Sequence, residues 1–189
     1  TERTDSPLSF GLLLWWLIAT VPTEVTATVM GRLDHYNLWV YNIWEPFDCG
    51  MVLLMYYFGL AHQTTRRVFR WLLALVPIGV LIIYLSHFVA TAWNLRSMLF
   101  YLFFELIGAC LFLIDGLLPG EERFIFQRPL AWMAFGTILY CSMYIIVHAL
   151  WEYIAAWPRW WYPLLTAIAN TFDYAAVGMT FYTLRKKIR

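Results

Sequence analysis

The sequence predicts an all-α fold, a polytopic bundle of six transmembrane helices, on three observations. Hydrophobic residues make up 62% of the chain and charged residues only 13%, whereas a soluble domain carries about 25% charged residues. The apolar residues fall into six long runs, each near the ~20 residues that a helix needs to cross a ~30 Å hydrocarbon core. Basic residues gather on alternate connections between those runs, the pattern that sets orientation in a bilayer.

The runs cover about residues 8–30, 38–61, 69–92, 97–118, 129–156 and 160–184. They are continuous rather than alternating, which favours helices over the ~10-residue strands of a barrel. The first run is too long for a signal peptide and lacks a basic flank followed by a small-residue cleavage site, so it is expected to stay as the first helix. The connections are short and polar, such as Gly31-Arg32-Leu33-Asp34-His35 and Gln63-Thr64-Thr65-Arg66-Arg67. Residues 1–189 therefore read as a single transmembrane domain. Pro22, Pro46, Pro77 and Pro163 fall inside the runs, where each removes a helix hydrogen bond and is expected to kink its helix.

Orientation follows from the arginines and lysines. Arg3, Arg66, Arg67, Arg70, Arg123, Arg128, Arg185, Lys186, Lys187 and Arg189 fall on one side, against Arg32, Arg96 and Arg159 on the other. The first side is expected to be cytoplasmic, with both termini there, in a cell (inner) membrane. Trp39, Trp44, Trp93, Trp151, Trp157, Trp160 and Trp161 gather toward the outer ends and Trp71 and Trp132 toward the inner ends, as interfacial anchors do. The net charge of +1 gives no case for nucleic acid as a partner. Membrane lipids are expected partners, with a membrane protein or a second copy of the chain as further ones.

Ionisable groups inside the spans carry the functional signal, because each costs roughly 2.5–3.5 kcal/mol at the bilayer centre. Glu24, Glu45, Asp48, His87, Glu105, His148, Glu152 and Asp173 all fall in the outer or middle part of their runs. Tyr41 and Asn170 join them by spacing. Residues three or four apart share a helix face, which pairs Tyr41 with Glu45, Glu45 with Asp48, His148 with Glu152, and Asn170 with Asp173. Pro22 and Pro46 stand beside Glu24 and Glu45, where a freed backbone carbonyl suits a cation or a water pocket. Together these ten residues predict a polar cavity in the outer half of the bundle, for a ligand, a proton or a cation.

Asp115 stands apart near the cytoplasmic end and is expected to cap or end the fourth helix. His62 and His35 lie beside the spans and read as solvated. Cys49, Cys110 and Cys141 are too far apart for a zinc pattern or a disulfide framework and read as packing residues.

The use of the cavity stays open at this stage. Glu45, Asp48, His87, His148 and Glu152 are of types that hold a divalent metal, and His87 and His148 at similar depth also suit paired haem ligands. A buried Glu beside a His can move protons, which would serve an intramembrane metal- or acid/base-dependent enzyme acting on a lipid-like substrate. The leading expectation is a ligand-sensing, signalling or accessory subunit without an assigned chemistry. No lysine lies inside a span, which excludes a retinal Schiff base, and no Gly-x-Ser-x-Gly elbow or glycine-rich phosphate loop is present.

The string Tyr36-Asn37-Leu38-Trp39-Val40-Tyr41-Asn42-Ile43-Trp44-Glu45-Pro46-Phe47-Asp48 resembles a helix of a family of uncharacterised bacterial polytopic membrane proteins with six or seven helices. Gly136-Thr137-Ile138-Leu139-Tyr140-Cys141-Ser142 and Ile168-Ala169-Asn170-Thr171-Phe172-Asp173-Tyr174 resemble that family's later helices. The resemblance implies that Asn37, Tyr41, Asn42, Pro46, Asp48 and Asn170 are family positions. It implies a membrane helix bundle and carries no activity.

Overall fold

The protein is seen in a computed structural model that describes residues 7–33, 37–87, 95–118, 125–150 and 160–188. The described residues form α1 (Pro7–Arg32), α2 (Leu38–Gly59), α3 (Gln63–His87), α4 (Leu95–Asp115), α5 (Pro129–Ala149) and α6 (Trp161–Ile188). A short 3-10 turn, Ile125–Gln127, precedes α5. No strand occurs among the described residues.

Three of the helices are long and apolar enough to cross a membrane: α1, the Arg96–Asp115 stretch of α4, and α5. The other three, α2, α3 and α6, also carry charged residues. Glu45 and Asp48 lie on α2, Arg66, Arg67 and Arg70 on the first turns of α3, and Asp173 and the Arg185-Lys186 pair on α6. The outer faces of the bundle are apolar on both kinds of helix. On α3, Leu81, Ile82 and Leu85 are 60%, 60% and 80% exposed, and Trp15 on α1 is 67% exposed. Faces this large and this apolar need a non-aqueous surrounding, which agrees with a membrane protein.

The helices pack side by side in the order α1, α2, α4, α5, α6, with one outlier. The most extensive interface joins α5 to α6, followed by α4 to α5, α1 to α2 and α2 to α4. Helix α3 packs on α2 and α4 from outside. Small residues set the closest approach. A Cβ added at Gly136 would run into the Ala176 side chain, so these two residues bring α5 against α6.

One end of the bundle is filled. Leu53, Met55, Tyr56, Leu60, Phe69, Ala109, Phe112, Leu130 and Ala131 are buried in a continuous core there. The α2–α3 turn is clamped at the same end. Asp115, fully buried at the end of α4, accepts hydrogen bonds from the backbone N–H groups of Ala61 at 2.6 Å and His62 at 3.1 Å. Its Oδ1 also lies 3.2 Å from His62 Nδ1. Arg66 donates to the Leu60 carbonyl through Nε at 3.1 Å and Nη2 at 2.7 Å. Buried Arg128 donates to the Gly59 carbonyl and sits 4.7 Å over the Phe112 ring. A helix end leaves backbone groups without intrahelical partners, and these side chains satisfy them at both sides of the turn.

This clamp explains two departures from the expected boundaries. Helix α3 starts at Gln63 rather than near residue 69, because Asp115 anchors the N–H groups at its entry. His62, expected in solvent, is held by the same carboxyl. Pro163, expected to kink its helix, stands in the first turn of α6, where no intrahelical donor is lost. Residues 151–156, expected to continue the fifth helix, lie outside the described residues.

Asp115→Ala strands two backbone donors at a buried turn, and is expected to cost about 2–4 kcal/mol. Asp115→Asn keeps an acceptor and is expected to cost less. Unfolding titrations of both variants in detergent check the order; equal stability of the Ala variant and the parent would remove the clamp from the account.

Candidate functional site

The other half of the bundle is hollow. Five helices surround a cavity of about 410 Å³, and each contributes one stripe at helical spacing. Helix α1 presents Trp16, Thr20 and Glu24, four residues apart. Helix α2 presents Tyr41, Trp44, Glu45, Asp48 and Val52, and α4 presents Met98, Tyr101, Leu102 and Glu105. Helix α5 adds Met133, Thr137, Tyr140 and Tyr144, and α6 adds Tyr162, Thr166, Asn170, Asp173 and Tyr174. Residues at i, i+4 and i+7 fall on one face, so one rotation of each helix turns its whole polar stripe inward. Helix α3 adds nothing to the lining.

The position along each helix is consistent. The lining residues run from the middle of α1 toward its C-terminal end, along α5 as far as Tyr144, and over the N-terminal parts of α2, α4 and α6. In an up-and-down bundle these parts lie at the same end, opposite the Asp115 clamp.

Seven of the ten residues singled out by sequence line this one cavity: Glu24, Tyr41, Glu45, Asp48, Glu105, Asn170 and Asp173. His148 does not. It is buried one turn beyond Tyr144, and its ring packs against Tyr144 at 5.8 Å and Tyr162 at 6.0 Å between centroids. Glu152 and the side chain of His87 lie outside the described residues.

Several polar groups of the cavity wall are tied to one another across helices. The indole N–H of Trp16 on α1 donates to Asp48 on α2. The Tyr41 hydroxyl donates to Glu24 Oε2 at 3.3 Å, a second link between the same helices. Asn37 reinforces the pair near the loop, donating from Nδ2 to the Ala27 carbonyl at 3.1 Å. Tyr144 and Asn170 meet at 3.5 Å between α5 and α6. Tyr56 and Thr137 share a hydrogen bond of 2.7 Å at the floor, where the cavity meets the packed core.

Glu105 is held by a weak donor. It is 5% exposed, and its hydrogen-bond partner is the Cys141 thiol, 3.7 Å from Oε2. A thiol is a weak donor. Among the described residues no hydrogen bond to Oε1 is found, although it belongs to a buried carboxyl on the cavity wall.

Metal binding needs donors converging on one point. Among the described residues no group of three or more His, Cys, Asp and Glu side chains stands close enough to hold an ion. The cavity's acids are spread around its wall instead. His148, proposed with Glu45 and Asp48 as a ligand, is not in the lining.

The residues that the sequence predicts for the cavity include one of its eight aromatics, Tyr41; Trp44 reads from sequence as an interfacial anchor, and Trp16, Tyr101, Tyr140, Tyr144, Tyr162 and Tyr174 are not among the predicted residues, yet all line the cavity. A signal existed on α5, where Thr137, Tyr140 and Tyr144 fall at i, i+3 and i+7. No family model, curated protein or solved structure matches the chain.

Cysteines placed at Thr20 and Thr166, in a background without the three native cysteines, are expected to react with a small water-soluble methanethiosulfonate. A cysteine at Leu53, in the packed core, is expected to stay unreactive. Equal protection of all three positions would show that the cavity does not admit solutes.

Proposed function

We propose that the chain is a six-span protein of the inner membrane, with both termini in the cytoplasm, that holds a small ligand in the outer half of its bundle. Its role is ligand sensing, signalling or service as an accessory subunit. One observation carries this reading: five helices turn their polar stripes onto a single cavity of about 410 Å³, within the 300–1,000 Å³ usual for small-molecule sites.

Helix length supports six spans. The six helices have 21 to 28 residues, or roughly 31–42 Å at 1.5 Å per residue, against a core of ~30 Å. On α2 and α6 the carboxyl groups of Glu45, Asp48 and Asp173 line the cavity, and α3 carries exposed apolar residues on its outer face. Orientation is supported by Arg66 and Arg128, which meet at one end of the bundle around the α2–α3 turn. With that end cytoplasmic, the cavity lies toward the outside.

The alternative of an acid/base or metal enzyme on a lipid-like substrate drew on paired histidines and carboxylates. His148 lies behind two tyrosines rather than on the cavity, and no histidine is in the lining among the described residues. Ligand holding therefore accounts for more of the geometry than proton transfer does.

Topology is checked by reporter fusions. Alkaline phosphatase is expected to be active when fused after Asn94 or Trp157, and green fluorescent protein to be fluorescent after Gly120 or Arg189. Any inversion in this set breaks the six-span arrangement. Ligand holding is checked by native mass spectrometry from nanodiscs. A small molecule retained by the parent is expected to be lost in Thr166→Phe, which fills the cavity, while thermal stability is kept. Identical spectra would place the retained molecule elsewhere.

A further inference from the structure

The cavity reading above leaves the ligand's chemistry open, and the wall itself narrows it. Five carboxyl groups line the cavity, from Glu24, Glu45, Asp48, Glu105 and Asp173, and no Lys, Arg or His stands among the described lining residues. Eight aromatic side chains complete the wall, two of them the indoles of Trp16 and Trp44. Aromatic faces attract cations through the ring quadrupole, indole most strongly. Carboxylates attract cations by charge. Both wall components therefore select for the same sign.

Anions and zwitterions are disfavoured, since among the described lining residues no cationic side chain answers a ligand's negative charge. A neutral lipid tail is disfavoured by the carboxyl groups, which would lose hydration without a partner. A bare metal ion is disfavoured by the spread of the acids, because no three donors converge among the described residues. What remains is a cation whose charge sits on a body large enough to touch both aromatic faces and a carboxylate. Glu105 supplies the anchor. It is buried on α4, its partner at Oε2 is a thiol, and Oε1 is open to a donor from the cavity.

The geometry points to an organic ammonium ion as the ligand, its N–H donors on Glu105 Oε1 and its carbon frame against the Trp16 and Trp44 side of the wall. This rests on the ligand-holding reading of the same cavity and adds the ligand's charge. Asp173, on α6, supplies further negative potential from the same wall, and Trp16 is held in place by its hydrogen bond to Asp48.

The test uses the full chain in nanodiscs and three probes of nearly one shape: 2-phenylethylammonium, 2-phenylethanol and 3-phenylpropanoate. Isothermal calorimetry is expected to give the ammonium at least tenfold tighter binding than the alcohol, and no binding of the carboxylate. Glu105→Gln is expected to weaken the ammonium at least tenfold and leave the alcohol unchanged. Asp173→Asn, with a smaller expected loss, serves where Glu105→Gln does not fold. Sodium or calcium chloride at the same ionic strength is expected not to displace the ammonium specifically; specific displacement by either would overturn the assignment in favour of an inorganic cation. Equal binding of the alcohol and the ammonium would overturn the cationic ligand while leaving the ligand cavity standing. Binding of the ammonium undiminished in Thr166→Phe would overturn the site. Failure of all three probes to bind, with Thr20 and Thr166 cysteines unreactive, would overturn both readings. Failure with those cysteines reactive would overturn the ammonium alone.

Discussion

A carboxyl group on a helix that crosses a bilayer costs roughly 2.5–3.5 kcal/mol near the centre, and the cost falls when the group meets water or a partner. This chain carries Glu24 on α1, Glu45 and Asp48 on α2, Glu105 on α4 and Asp173 on α6. Most of the architecture answers that constraint. Helices α1, α2, α4 and α6 are rotated so that these five acids point at a common volume, and exposed apolar residues face outward. The exposed leucines, isoleucines and tryptophans on the outer faces are the counterpart of that rotation.

The consequence is a bundle of two unlike halves. At one end, Leu53, Tyr56, Phe69, Phe112 and Leu130 fill the space between helices, and the glycines at 59, 108 and 136 let backbones and side chains approach closely. The Asp115, Arg66 and Arg128 side chains lock the α2–α3 turn at that end. At the other end, large polar aromatics line the cavity between the helices. Packing of this kind concentrates stability in the filled half. The hollow half is left free to accommodate a solute without disturbing the part that holds the fold.

The aromatic wall and the acids act together. Tyrosine and tryptophan carry a polar atom at the edge of a large apolar body, so they can border lipid on one side and a hydrated or charged ligand on the other. The Trp16–Asp48 and Tyr41–Glu24 pairs show the arrangement: an aromatic donor steadies a carboxyl and closes the seam between α1 and α2. Glu105 has the Cys141 thiol as its partner instead.

Composition, run length and the bias of arginine placement determine on their own that the chain is helical and suited to a membrane, because each reports a bulk preference that does not depend on neighbours. The polar stripes were legible for a similar reason. Glu45 with Asp48, and Asn170 with Asp173, share a face by helical period alone, and the same arithmetic would have found Thr137, Tyr140 and Tyr144. Tertiary structure decided what period cannot. It decided that α3 stays off the cavity while α1 and α6 line it, since that depends on which faces fit together. It put Trp16 against Asp48 across 32 positions of sequence, and it put His148 behind Tyr144 and Tyr162 instead of among the acids. It recruited Asp115 from the end of α4 to start α3, a partnership that no local pattern encodes, because the backbone groups it satisfies belong to a turn more than fifty residues away.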